Sequence, residues 1–338
     1  MPKNRQVRLK SRPVGVPEAQ HFEIVEADMP EPKPGEFVVR NRFLSVDPAM
    51  RGWVNAAPSY VRPVEVGEVM RAYTVGEVVA SKHPRYKEGE AVMGQLGWQD
   101  YAVSDGRQIW RKVTEKDLPL SLALGVMGLN GITAYFGLLD VGQPRPGDTV
   151  VVSTAAGAVG SAVGHIAKIV GCRTVGIAGG AQKTKLCTEF FGYDAAIDYK
   201  AYRDSENLAA ELGKVCPKGL NVYFDNTSGW ITDAVLPHMA IGARVAVCGT
   251  ASIANWDPLP VGPMIERWFL IRRARLQGFL ASDFAHRYEE AFARLAQWVR
   301  EGRLRYKEDV LDGIECAPGA IAGLYRGENL GKRLIRLL

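Results

Sequence analysis

Residues Thr149 to Ser161 read Thr-Val-Val-Val-Ser-Thr-Ala-Ala-Gly-Ala-Val-Gly-Ser. An apolar β-branched run breaks into a tight turn and then into small residues that open a helix. A turn of this type can hold the pyrophosphate of a dinucleotide: one glycine lets the backbone approach the phosphates, and a later one lets the helix pack closely on the strand. Gly157 and Gly160 hold those positions, Ala158 and Val159 lie between them, and Ala155 replaces the usual first glycine. The helix expected from Ala158 to Val170 aims its free N–H groups and positive dipole end at the anion.

A second β-branched run, Arg173 to Ala178, follows at the distance expected for the next strand of a βαβ unit, and it ends in Gly179-Gly180-Ala181-Gln182-Lys183. No Asp or Glu stands there. An acid would bond the adenosine ribose hydroxyls of NAD and repel a phosphate, whereas a lysine favours the extra phosphate of NADP. Lys183, with Lys185 as the alternative, is the candidate for that contact. A merely solvated lysine would be poorly placed in a first helical turn, where the dipole disfavours cations.

The elements that must position these residues follow from pattern. A chain of 338 residues, 47% apolar and 23% charged, is long enough for two domains with their own cores. The net charge of +5 is mild and its basic residues are scattered apart from Arg267, Arg272, Arg273 and Arg275. Apolar residues interleave that cluster, which argues for a helix end or strand entry rather than nucleic-acid binding. No apolar stretch approaches a membrane span and no secretory leader is read at the start, so a cytoplasmic protein is expected, with disorder confined to the first residues. The cysteines, Cys172, Cys187, Cys216, Cys248 and Cys316, are odd in number and widely spaced, as reduced thiols are.

From Gln6 to about Leu118, short alternating runs (Phe22 to Val25, Glu36 to Leu44, Val75 to Ala80, Ala91 to Met93, Tyr101 to Val103) are broken by Pro and Gly, predicting a β-rich, barrel-like domain. The segments Ser45 to Trp53 and Ser59 to Pro63 read as ligand-facing loops. A helix is expected over Ser121 to Leu139. Strand and helix patterns then alternate: six strands, at Thr149–Ser153, Arg173–Ala178, Ala195–Ile197, Val222–Phe224, Arg244–Cys248 and Arg275–Leu280, predict a doubly wound parallel sheet of the Rossmann type in an α/β domain. A helix over Phe284 to Glu301 presents Tyr288, Ala291, Phe292, Leu295, Trp298 and Val299 at helical spacing. The expected division is residues 1–124 with 302–338 in the β-rich domain and 125–301 in the dinucleotide-binding domain, the last stretch rejoining the first.

Five segments together carry a specific resemblance: Val46-Asp47-Pro48-Ala49-Met50-Arg51-Gly52, Gly131 to Leu139, Ala155 to Ser161, Tyr223-Phe224-Asp225-Asn226 and Glu328-Asn329-Leu330-Gly331-Lys332. The chain resembles the zinc-independent medium-chain dehydrogenases/reductases of the prostaglandin and leukotriene reductase group, and within it the bacterial curcumin-reductase-like enzymes. The resemblance implies a GroES-like barrel domain beside the Rossmann domain, NADP(H) bound in the cleft between them, and hydride delivery to the β-carbon of an α,β-unsaturated ketone or aldehyde. A homodimer built through the edge of the doubly wound sheet is also implied. Carried over residue by residue, it places Tyr199 with Lys183 at the adenosine phosphate, and Asn226 near the nicotinamide ribose. It also brings Asn329 to the cofactor from the C-terminal return, and Cys248-Gly249-Thr250 and Phe279-Leu280-Ala281 to strand ends facing the nicotinamide.

Zinc-dependent relatives hold a metal with a Cys and a His. Here Asp47 stands at the Cys position, Gly76-Glu77 lacks the His, and no cysteine cluster exists, so no metal is expected. Without metal, an enone is polarised by hydrogen bonds that strengthen as the enolate forms. The candidate donors are a tyrosine hydroxyl and the cofactor ribose hydroxyl. Ser282 takes the place of the tyrosine of the mammalian reductases, and Tyr60, within the Ser59-Tyr60-Val61 shared by curcumin-reductase-like members, is the replacement candidate. The alternative for Tyr60 is a loop tyrosine that packs on Trp53. Met50, Arg51, Trp53, Tyr60, Met264 and Trp268 are the candidate lining of an apolar substrate pocket. A quinone reductase using the same cofactor and a catalytically silent NADPH sensor are the alternative readings.

Overall fold

The computed structural model describes residues 3–56, 61–253, 258 and 260–338. Its contacts divide it into two units, Met1–Gly125 with Glu308–Leu338, and Val126–Lys307.

Alternating runs near the start become β1 (Lys3–Leu9), β2 (Phe22–Asp28), β3 (Phe37–Ser45), a one-turn helix α1 (Met50–Trp53), β4 (Thr74–Ser81), β5 (Ala91–Gly94), β6 (Tyr101–Ser104) and β7 (Ile109–Lys112). The middle of the chain gives α2 (Leu129–Phe136), β8 (Thr149–Ser153), α3 (Ala158–Ile169), β9 (Arg173–Ala178), α4 (Ala181–Lys185), β10 (Ala195–Asp198), α5 (Ser205–Val215), β11 (Leu220–Asp225), α6 (Gly229–Val235), β12 (Met239–Val247), α7 (Glu266–Arg272), β13 (Arg275–Gly278) and α8 (Tyr288–Arg300). β14 (Glu308–Asp312), α9 (Ala317–Arg326) and β15 (Lys332–Arg336) close it.

In the second unit the near-continuous apolar runs of β8, β9 and β11 are buried on both faces, as central parallel strands require. β10-β9-β8-β11-β12-β13 pair in that order, every pair parallel, with Val151 opposite Val175 and Tyr223. The chain starts at β8, winds outward through β9 and β10, then returns to β11 on the other side of β8, so the order reverses between β8 and β11. Val151, Val175, Ile177, Tyr223 and Val245 form the core with Leu208 and Leu212 of α5 and Ile231 and Val235 of α6. Burying one such side chain stabilises by roughly 1.5–3 kcal/mol.

The first unit is built on a seven-stranded sheet, β14-β15-β3-β4-β5-β7 with β6 also on β3, over a core of Phe37, Val39, Val78, Val92 and Ala102. The C-terminal return enters this sheet: β15 runs antiparallel to β3 with Leu334 opposite Ser45.

Three expectations are corrected. Lys3–Leu9 is a strand paired along its length with β2, with Asn4, Val7 and Leu9 buried; charged residues on its outer face mask the alternation. The helix expected over Ser121–Leu139 is broken, because Gly125 (φ −115°, ψ −115°) and Gly128 (φ −136°, ψ −147°) take dihedrals that no helix contains. The long helix after β13 starts at Tyr288, preceded by tight turns over Ala281–Arg287. No helix among the described residues is long and apolar enough to cross a membrane.

Candidate active site

The chain leaves β8 through Thr154, which holds the left-handed conformation (φ 55°) that a β-branched residue adopts only under constraint. That bend aims the Thr154 carbonyl at the start of α3. A Cβ on Gly160 would stand 2.3 Å from that oxygen and 2.8 Å from the Ala155 Cα, so only glycine fits. Ala155, in place of the usual first glycine, is fully buried; its methyl would lie 2.7 Å from a Cβ at position 176, and β9 carries Gly176 there. Gly157, which has no side chain to cap with, opens α3, and no side-chain bond to the N–H groups of the first turn is present among the described residues. They are open to an anion.

The end of β11 is bound to this turn. Asn226 donates its backbone N–H to the Ser153 Oγ at 2.8 Å and its side-chain amide to the Ser153 carbonyl at 2.6 Å. Asp225, fully buried, organises the rest: its carboxylate accepts from Tyr223 Oη (3.1 Å), the Thr227 and Ser228 amides (2.9 and 2.8 Å) and Thr232 Oγ1 (2.7 Å). Its carbonyl accepts from the amides of Cys248 and Gly249 beyond β12, so three strand ends form one shelf at the reversal point. Ligands of open parallel sheets bind at such a crevice. Burial and the Asp225 charge push the Cys248 thiol up to about 12, so it stays protonated. Thr250 follows on the same loop. Sequence reasoning missed Ser153 and Asp225; a polar residue ending each of two apolar strands was the available signal.

A second corner lies at the ends of β9 and β10. Asp198 accepts from the Gly180 amide at 2.7 Å and the Lys200 amide at 2.9 Å, so its carboxylate shapes the backbone there. The Tyr199 ring lies against Gly179, 2.9 Å from where a Cβ would stand, and meets Trp230 edge-on at 6.0 Å. Burial, then Asp198, raises the Tyr199 hydroxyl's pKa. Lys183, half-buried, lies in the single turn of α4, which begins after Gly180. The Lys200 stem also lies against Gly179.

The remaining candidates are dispersed. Phe279 packs edge-on against Phe224 at 6.1 Å, while Leu280 and Ser282 are exposed beside the half-buried Ala281. Met264 is 80% exposed, and Trp268 packs on the core of its unit. In the other unit Met50, Arg51 and Trp53 share α1 and are buried; Trp53 meets Tyr73 edge-on at 6.4 Å. The Asn329 side chain donates to the Gly331 carbonyl at 2.8 Å. Tyr60 lies outside the described residues.

Gly76 and Asp47, read in the sequence in place of the His and Cys of a zinc site, make other contacts. A Cβ on Gly76 would stand 2.2 Å from the Arg40 carbonyl, which leaves no room for a histidine. Asp47 is paired with Lys332 at 2.6 Å. Among the described residues no three His, Cys, Asp or Glu side chains gather as a metal needs.

Known proteins bear on this geometry. A family model described as the N-terminal domain of oxidoreductase matches residues 5–112, and one described as zinc-binding dehydrogenase matches residues 158–297. The chain is similar to the NADPH-dependent curcumin reductase of Escherichia coli (strain K12), at 44% identity over 340 residues that cover 99% of this chain and 97% of that protein. It is 37% identical to the 2-alkenal reductase (NADP(+)-dependent) of Nicotiana tabacum, covering 98% of this chain and 97% of that one. The solved structure of CurA in complex with NADPH from Vibrio vulnificus superposes with a TM-score of 0.92 at 45% identity, covering 99% of each chain.

Proposed function

The chain belongs to the zinc-independent medium-chain dehydrogenases/reductases, in their prostaglandin and leukotriene reductase group, and from that premise we propose that it reduces the carbon–carbon double bond of α,β-unsaturated ketones and aldehydes with NADPH. It is an NADP-dependent oxidoreductase acting on C=C bonds. The observation that carries the reading is the shelf at the sheet reversal, where the Thr154–Gly160 turn and the ends of β11 and β12 are tied together around Asp225. When bound there, NADPH supplies a hydride.

The chain's own residues do the rest. The uncapped first turn of α3 receives the pyrophosphate, and Asn226, fixed on Ser153, orients the nicotinamide ribose. Lys183 and Tyr199 hold the adenosine phosphate, an assignment favoured because Gly179 to Lys183, at the end of β9, carry no acid that would bond ribose hydroxyls. Cys248 to Thr250, Phe279 to Ala281 and Asn329 complete the cofactor site. Met50, Arg51, Trp53, Met264 and Ser282 line the substrate side, and the neutral hydroxyl of Tyr60 donates to the carbonyl oxygen as negative charge develops there. Residues 126–307 form the cofactor domain, and the other unit the substrate domain.

The protein works as a cytoplasmic homodimer in this reading. β13 is the last strand of the parallel sheet among the described residues, and Leu276 on it and Leu280 just beyond it are exposed, which a second copy would cover.

The test is absorbance at the nicotinamide band with NADPH, then NADH, against a panel of enones, alkenals and quinones. Oxidation of NADPH by enones and alkenals is expected. Turnover of quinones alone would establish a quinone reductase, and tight NADPH binding without turnover a sensor; either overturns the proposal.

A further inference from the structure

One buried ion pair in the first unit has no place in the chemistry above. Lys332, the first residue of β15, and Asp47, two residues beyond β3, are each 4% exposed. The Lys332 ammonium donates to Asp47 Oδ1 at 2.6 Å, to Ser45 Oγ at 2.6 Å and to the Val46 carbonyl at 3.1 Å. Ser45 Oγ in turn donates to the other oxygen of Asp47. An ammonium has three N–H donors, and all three are spent on three consecutive residues. Lys332 therefore has none left to give to a substrate.

Such a pair is a poor source of stability, because the cost of taking both charges out of water cancels most of their attraction; an apolar pair of similar volume does as well or better. What it supplies is a unique geometry, and the surroundings show what is being fixed. The Val46 amide donates to the Arg333 carbonyl at 3.3 Å, and Tyr325 Oη on α9 donates to the Pro48 carbonyl at 2.9 Å. The Arg51 guanidinium stacks over the Tyr325 ring, 4.4 Å from its centroid. The C-terminal return thus grips five residues, Ser45 to Pro48 and Arg51, and α1 starts from that grip: the Met50 amide bonds the Asp47 carbonyl and the Arg51 amide the Pro48 carbonyl.

We propose that Lys332 and Tyr325 are positioning residues that clamp the segment from Ser45 to Trp53, so that Met50, Arg51 and Trp53 are presented to the substrate in one arrangement. This rests on the reading of that segment as substrate-facing. Neither residue touches the reacting atoms. The clamp acts on substrate affinity and leaves the phosphate-binding turn of the other unit untouched.

The experiment uses the full chain with Lys332→Met and Asp47→Asn combined, which removes both charges together and avoids stranding one. Four quantities are read: the unfolding midpoint, NADPH affinity by fluorescence titration, the enone KM, and hydrogen exchange at the Met50, Arg51 and Trp53 amides. The expected result is a folded protein with NADPH affinity within about twofold of wild type, exchange at those amides faster by about tenfold, and an enone KM raised by a similar factor. Exchange and KM at wild-type values would overturn the clamp. If the double variant does not fold, Tyr325→Phe decides: it keeps the ring under Arg51 and deletes only the bond to Pro48. About threefold faster exchange at the same amides is expected, and unchanged exchange refutes the proposal. Because exchange needs no substrate, a protein that reduces no enone loses the functional reading while the clamp is still judged.

Discussion

The side-chain amide of Asn226 donates to the Ser153 carbonyl at 2.6 Å, fastening the residue after β11 to the last residue of β8 where the parallel sheet reverses. A turn-forming asparagine would need no such partner. The bond fixes a strand end at the place where a nicotinamide ribose would be read. Replacing Asn226 by Ala leaves the Ser153 carbonyl unpaired, and a lost bond of this kind costs about 1 kcal/mol. We expect a stability loss of that order, measured by urea unfolding, and NADPH binding weakened by about tenfold in fluorescence titration. A fall in stability with unchanged affinity would make Asn226 structural only.

Lys183→Ala separates the two nicotinamide cofactors. A cation–phosphate contact contributes roughly 1.5–3 kcal/mol, so NADPH affinity should fall by about tenfold or more while NADH affinity scarcely changes. Equal losses for both, read by the same titration, would remove Lys183 from the adenosine phosphate.

Glu308 gives a pH-dependent test of the fold. It faces Lys332 across the β14–β15 pair, and burial raises its carboxyl above the usual carboxylate range, against the opposing pulls of Ser121 and Lys332. A raised folded pKa means that the folded protein holds more protons than the unfolded one between the two values, so stability falls as pH rises through that window. Glu308→Gln keeps an acceptor for Ser121, which donates to Glu308 at 2.8 Å, and removes the ionisation. Its unfolding midpoint should match wild type near pH 4 and exceed it at pH 8. A difference independent of pH would show that the carboxyl is not displaced.

How much of this was legible in the sequence depends on what each residue contacts. The strands Thr149–Ser153 and Arg173–Ala178 and the helix Ser205–Val215 form over the ranges expected, because parallel strands buried on both faces and a helix opened by an Asp204 cap advertise themselves locally. Gly157 and Gly160 were readable because a tight turn demands small residues. The Asp225 hub was not, since its partners are backbone amides and hydroxyls that only the sheet order brings together. The Lys332–Asp47 pair spans 285 positions, and no local pattern marks it. Gly125 and Gly128 sit inside an apolar, helix-spaced stretch, so composition hid the break that their dihedrals impose.

The central claim is that hydride passes from NADPH to the β-carbon of a conjugated carbonyl compound. NADPH carrying deuterium at the transferable position of its nicotinamide tests this directly, with the product of an enone reaction examined by NMR. The account predicts a saturated ketone with deuterium on the former β-carbon and the carbonyl intact. Deuterium on a new carbinol carbon, with the double bond retained, would contradict it.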